Sequence, residues 1–164
     1  MDPRAARDTQ AALIRWMSIT DANSAGFVHG GTVMKLCDEA AGIAAIKHCR
    51  TRIVTAAIDR MTFRHPVHVG ELLTCRASVN AVWRTSMEVG VRVEAENPRT
   101  GAVRHTSTAY LTMVAVDDDG RPTEVPPLAV ESPAEERRMR EAELRRRNRL
   151  AEREQIRAGR QGAA

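Results

Sequence analysis

Two stretches of strict alternation, residues 73–81 and 87–95, limit what this chain can fold into more than anything else in it. Leu73, Cys75, Ala77, Val79 and Ala81 alternate with Thr74, Arg76, Ser78 and Asn80, and Met87, Val89, Val91, Val93 and Ala95 alternate with Glu88, Gly90, Arg92 and Glu94. Successive side chains of a strand point to opposite faces. Each stretch is therefore a strand with one apolar face, the pattern of a half-buried antiparallel sheet. The VWRTS segment between them is short enough for a hairpin. A sheet with one dry face needs an apolar element laid against it.

That element is TVMKLCDEAAGIAAIKHC, residues 32–49, a helix with apolar residues nearly all round. Such a helix is expected to be central and buried. Residues 11–20 are expected to form a first strand, 52–63 a second, and 102–116 the last. HPVHVGE and NPRTG form connections marked by Pro and Gly. The order is strand, helix, then four strands in antiparallel hairpins. This is the layout of an α+β hotdog fold, a curved antiparallel sheet wrapped around a central apolar helix, and the assignment rests on the motif described below as well as on periodicity. We expect a flexible N-terminus over 1–10, one domain over 11–128, and a charged C-terminal helix and tail over 129–164. DDDGRPTEVPPL leads out of the domain. SPAEE then opens the last helix, with Ser132 as N-cap, Pro133 in first position and two acids in the first turn. It is expected to run to about residue 157 and to end in a frayed RQGAA tail.

Composition narrows the function. Aromatic residues are 3% of the chain, so Val, Ile, Leu, Met and Ala must fill the core. The net charge of +4 sits in one place, because residues 135–160 hold ten Arg and six Glu while the rest balances at 15 basic and 15 acidic. Glu interleaving and the lack of aromatics favour a solvated or oligomer-packing helix over a nucleic-acid surface. The start, MDPRAARDTQ, lacks the apolar core of a signal peptide, and no apolar run approaches the roughly 18 residues of a membrane span. Cys37, Cys49 and Cys75 form an odd set without metal-ligand spacing. They read as reduced core residues of a cytoplasmic protein. No metal ligand set is apparent, and no membrane partner is expected.

The chemistry lies in DANSAGFVHGGTVMKLCDEAAG, residues 21–42. His29, Gly30 and Gly31 open the helix. Its first amides lack internal partners and carry a partial positive charge, a natural seat for a carbonyl oxygen that becomes an oxyanion. The plain alternative is a tight turn. Asp38 stands midway along the helix among Met34, Ala41 and Gly42. An acid there needs a raised pKa or a specific partner, and the plain alternative is a structural Asp, capped or salt-bridged to Lys35. Glu39 is instead expected to pair with Lys35 at the surface. Asn23 either makes an Asx-turn or orients water or a carbonyl. His29 either caps the helix or acts as acid or base.

Five segments carry a resemblance: DANSAGFVHGGTVMKLCDEAAGIAAIKHC, RTRIVTAAIDRMTF, PVHVGE, RTSMEVGVRVEAEN and EVPPL with the charged helix beyond it. Together, over about residues 12–155, they resemble the hotdog acyl-CoA thioesterases of the cytosolic long-chain (brain-type) acyl-CoA hydrolase group. In the animal enzyme of that group two such domains are fused. The Asn of one and the Asp of the other carry catalysis, at positions matching Asn23 and Asp38. This chain has one domain with both residues, so the resemblance implies a homo-oligomer, a dimer at least and by family habit a hexamer, a trimer of dimers. It further implies an acyl-CoA substrate with no separate cofactor. Gly31 is the oxyanion donor, Asp38 the general base or nucleophile, and Asn23 orients water or the carbonyl. It places Arg84 and Ser86 near CoA and Thr55 beside the pantetheine. Arg64 is a further candidate for the phosphates, with His29 and Gly30 beside the substrate. Geometry agrees with a shared site. Gly31 and Asp38 are two helical turns apart, about 10 Å along the axis, too far to serve one carbonyl within one chain.

Three rivals remain. A hotdog enoyl-CoA hydratase pairs its Asp with a His five residues away, which this helix lacks. A non-enzymatic acyl-CoA-sensing regulator needs a DNA-reading element, and no helix-turn-helix precedes the domain. Nucleic-acid binding would fall to the Arg-rich helix.

Overall fold

Three long strands form the centre of the sheet: β5 (Leu72–Val82), β6 (Ser86–Glu96) and β7 (Val103–Val116). Before them in the chain stand β1 (Arg4–Ala5), α1 (Ala6–Thr9), β2 (Ala11–Trp16), a 3₁₀ turn (Ile19–Asp21), α2 (Gly30–Cys49), β3 (Arg52–Ile58) and β4 (Thr62–Phe63). After them come β8 (Leu128–Ala129) and α3 (Pro133–Gln161). This computed structural model describes residues 1–161. The main sheet is antiparallel in the order β2-β5-β6-β7-β3, and β4 also pairs with β7. The order and the single helix laid on the sheet are those of the expected hotdog fold.

Alternation decides the core. Met87, Val89, Val91, Val93 and Ala95 are fully buried. They meet Cys75, Ala77 and Val79 of β5 and Ala109, Leu111 and Met113 of β7 in one cluster with Val33, Leu36, Cys37, Ala40, Ala41 and Ala44 of α2. The run of alanines lets the helix backbone lie close to the sheet. NPRTG turns as expected, with Gly101 at φ 72° closing it.

Several boundaries differ from expectation. α2 starts at Gly30, two residues earlier than the apolar run suggests, because His29 caps it. The helix is not enveloped. Met34, Ile43 and Ile46 are exposed, so the all-round apolar pattern includes side chains that the sheet leaves uncovered as well as the core. Residues 52–63 break into β3 and β4, with a register shift between Thr55 and Ala57. The first ten residues were expected to be flexible. Residues 4–9 instead take regular structure: β1 pairs in parallel with β8, and Ala6 and Thr9 are buried. The Arg4 guanidinium also donates to the carbonyl of Lys47 at the end of α2 (3.4 Å).

The chain divides into two units, one of residues 1–129 and one from residue 130 on. In the second, Ser132 caps α3 through its Oγ, which accepts the Glu135 N–H. Arg137 bonds Glu141 at 2.8 Å one turn away. α3 reaches Gln161, beyond the expected end near 157, and the last residues of the expected frayed tail lie outside the described residues.

One ion pair ties the sheet to the loop before β5. Arg104 of β7 grips the buried Glu71 through both carboxylate oxygens (2.6 and 2.9 Å) and also donates to the Pro66 carbonyl (2.9 Å). Burial pushes the Glu71 carboxyl up. Its bonds from Arg104 and from the His68 N–H outweigh burial and hold it below the ordinary glutamate value. A depressed carboxylate stabilises the fold above its unfolded pKa, and that contribution is lost as pH falls through the depressed folded value. Glu71→Gln is therefore expected to destabilise by about 2–4 kcal/mol at neutral pH, less so as pH falls below about 4. Urea midpoints at pH 7 and pH 2.5 test this. An equal deficit at both would remove the ion pair from the stability of the fold.

Candidate active site

The loop ahead of α2 is built on its own backbone. Asn23 Oδ1 accepts the N–H groups of Ala25 (2.9 Å) and Phe27 (3.2 Å), and its backbone N–H donates to the Phe27 carbonyl (2.7 Å). This is the Asx-turn expected of an Asn in such a loop. It occupies Oδ1, while among the described residues no partner takes Nδ2. Asn23, Gly30 and Arg64 then line one cavity of about 370 Å³, closed by Phe27, Phe63 and Val67. A Cβ at Gly30 would sit 3.4 Å from Phe63, so glycine lets the ring approach the helix start.

His29 is the N-cap: its Nδ1 accepts the Gly31 N–H at 3.2 Å. The expected oxyanion donor is therefore engaged within its own chain. The neighbouring Gly30 N–H has no partner among the described residues, and Gly30 itself lines the cavity.

Asp38 lies elsewhere. It is half-buried at the open side of α2, and Thr55 of β3 donates to its Oδ1 at 2.6 Å. The specific partner that an acid on an apolar helix requires is thus a hydroxyl. Lys35 pairs with Glu39 instead, at 3.9 Å. The register shift directly after Thr55 bends β3 at this point, as bulges beside functional groups do. Thr55, given to substrate binding by resemblance, sits in this structure as the residue that holds Asp38.

The expected residues fall into two groups on one protomer. Thr55 pairs with Met113 and Phe63 with Ser107, six residues apart along β7, roughly 20 Å. Asp38 and Thr55 are at one end, and Asn23, Gly30 and Arg64 at the other. Ser86 shares a row with Val114 and Val54, beside Thr55 but alternating to the opposite face of the sheet. Arg84 is exposed in the adjacent turn, where its carbonyl accepts the Val125 N–H. Phe27, Phe63 and Val67 were not singled out from sequence. Nothing in their spacing separates them from ordinary packing residues.

All three cysteines are buried and free, and contact with Cys75 together with burial pushes the Cys37 thiol up. Among the described residues no group of three or more His, Cys, Asp or Glu is placed to hold a metal ion. None of the described helices is long and apolar enough to cross a membrane.

Known proteins share this arrangement. A model of the thioesterase superfamily matches residues 25–102. The cytosolic acyl coenzyme A thioester hydrolase of Rattus norvegicus is 34% identical over 146 residues, which is 88% of this chain and 38% of that protein. A crystal structure of an apo-hexameric acyl-CoA thioesterase is 35% identical, with 93% of this chain and 97% of that one covered at a TM-score of 0.89. The acyl-CoA hydrolase of Staphylococcus aureus, solved with butyryl coenzyme A, coenzyme A and coenzyme A disulfide, is 30% identical over 94% of each chain, with a TM-score of 0.86. That enzyme has also been solved with an asparagine, an aspartate and a threonine each replaced by alanine. The first two are 15 positions apart and the last two 17, the separations of Asn23 from Asp38 and of Asp38 from Thr55 here. A helix laid on a curved antiparallel sheet, a Gly-Gly helix start and an Asp–Thr pair at matching separations lead to one conclusion: the chain belongs to the hotdog-fold acyl-CoA thioesterases of the thioesterase superfamily.

Proposed function

We propose that this protein hydrolyses fatty acyl-CoA to free acid and CoA at a site shared between two protomers. The observation that carries this reading is the hydrogen bond from Thr55 to Asp38, which fixes an acid on the open side of α2, about 12 Å along the helix axis from Gly30 at the loop cavity of its own chain. Gly31 and Asp38 lie on nearly one stripe of α2, seven residues apart. Two such helices packed antiparallel about a two-fold near Met34 set Asp38 of one opposite the partner's Gly31. The exposed Met34 and the exposed Val54 on the edge strand β3 supply the apolar contact.

In this reading Asp38 takes a proton from water through the carboxylate oxygen that Thr55 leaves open. The water oxygen attacks the thioester carbonyl carbon. The carbonyl oxygen gains negative charge and is received by the amides at the start of the partner's helix, Gly30 first and Gly31 once His29 releases it. The partner's Asn23 offers its Nδ2 to the water or the carbonyl. The C–S bond then breaks, and the CoA thiolate takes its proton from Asp38. Arg64 and Arg84, both exposed, are the cations placed for the phosphates. CoA enters and leaves as part of the substrate, so no cofactor is required. The cytoplasm is the assigned compartment, supported by three free cysteines and a relative named cytosolic. The hexameric neighbour supports assembly as three such dimers.

Thiol release by the purified protein across a series of acyl-CoA chain lengths tests the activity. No turnover at any length would overturn it. Thr55 has its own test as a positioning residue. A hydrogen bond to a charged group contributes about 1.5–3 kcal/mol, so Thr55→Val is expected to lower kcat about 10- to 100-fold with KM held. Thr55→Ser, which keeps the hydroxyl, should recover most of the rate. A Val variant that changes KM alone would return Thr55 to substrate binding.

A further inference from the structure

We propose that the corner formed by the end of β2, the 3₁₀ turn and the loop before β5 is the surface through which dimers of this chain join into the larger assembly. Its occupant is the same chain in a neighbouring dimer. Ile14 is 67% exposed, Trp16 72%, Ile19 80% and Val69 38%. Together they amount to roughly two and a half fully exposed large side chains, on the order of 500 Å² at about 200 Å² each. A standard interface covers about 800 Å² per partner, of which a little over half is apolar. The corner thus carries the apolar area of one such contact.

The groups are held in place. Ile14 and Trp16 share a face of β2 by alternation. The Trp16 indole N–H donates to the Gly70 carbonyl at 3.1 Å, so its polar atom is satisfied while the ring faces outward. Met17 and Gly70 exchange further backbone bonds with this loop: the Met17 N–H donates to the Glu71 carbonyl and the Gly70 N–H to the Met17 carbonyl. Ile19 stands on a turn locked by Asp21. That carboxylate accepts the Ser18 N–H (2.8 Å) and Ser18 Oγ–H (3.0 Å) and the Arg15 guanidinium (2.7 Å). Aromatic side chains immobilised before contact lose little freedom on binding, which is the character of an interface anchor.

Symmetry gives the corner its partner. This inference rests on the shared-site reading, in which the α2 and β3 face makes the two-fold contact. A closed hexamer of three such dimers needs a second contact made by other residues. β2 is the opposite edge of the sheet from β3, so the corner is available when the first face is covered. Residues outside the C-terminal helix carry balanced charge, so copies do not repel one another there.

Sedimentation of the full-length protein decides the matter, with Ile19→Arg as the main variant because it leaves the Trp16 bond intact, and Trp16→Arg as the second. The parent is expected to sediment as a hexamer and both variants as dimers, with acyl-CoA turnover per subunit kept within about two-fold. Variants that stay hexameric, or a parent no larger than a dimer, would overturn the proposal. Variants that fall to inactive monomers would move the corner into the two-fold contact and overturn it as well. A hexameric parent without thioesterase turnover, whose variants still become dimers, would sink the hydrolase reading and leave the corner assigned.

Discussion

Asp38→Asn is expected to lower acyl-CoA turnover by about 10²- to 10⁴-fold, the range lost when a general base is removed. The substitution keeps size and shape. Thr55 Oγ–H can still donate to the Asn carbonyl oxygen where it now donates to Asp38 Oδ1, so the helix and β3 stay joined. The half-buried position exacts no new desolvation. The melting temperature and CoA affinity should therefore stay near those of the parent while kcat falls. Initial rates, thermal melts and CoA titration on the same preparation separate these effects. A variant with nearly full kcat would remove Asp38 from the reaction.

Mixing two inactive variants should restore activity. In a dimer of one Asn23→Ala chain and one Asp38→Ala chain, one site combines both lesions. The other joins the intact Asn23 of one chain to the intact Asp38 of its partner. Random pairing makes about half the dimers mixed, each with one good site of two, so about a quarter of parental activity returns if sites are independent and subunits exchange freely. Mass spectrometry of the mixture confirms exchange. The physical basis is separation. Asn23 lines its cavity beside Gly30, and Asp38 is about 12 Å farther along α2 of the same chain, too far for both to serve one carbonyl. Mixed dimers as inactive as their parents would show that both residues act from one protomer, and the shared site would be abandoned.

Much of the sheet is legible in the sequence. Alternation over 73–81 and 87–95 is a local property: with one face dry, a slip of one residue would turn every apolar side chain to water. That is why β5 and β6 stand where the pattern puts them, with a three-residue turn between. The Asx-turn of Asn23 and the cap of Ser132 are local too, since their partners are two to four residues away. Gly30, Gly31 and Asp38 were legible as candidates because each departs from what a purely structural helix would carry.

Tertiary structure decided the rest. An all-round apolar helix does not say which side meets the sheet and which is left open. Only packing shows that Ala40, Ala41 and Ala44 are covered while Met34, Ile43 and Ile46 are left open. Composition at residues 1–10 gives no hint that Arg4–Ala5 would find β8 more than a hundred residues away. The partner of Asp38 is 17 residues distant and on another element, beyond the reach of helical periodicity. The cavity under Phe63 likewise depends on the contact of that ring with Gly30, 33 residues away in the chain. Local patterns determine elements because their interactions lie within a few residues. The site depends on contacts between elements, and those exist only once the core has fixed where each element lies.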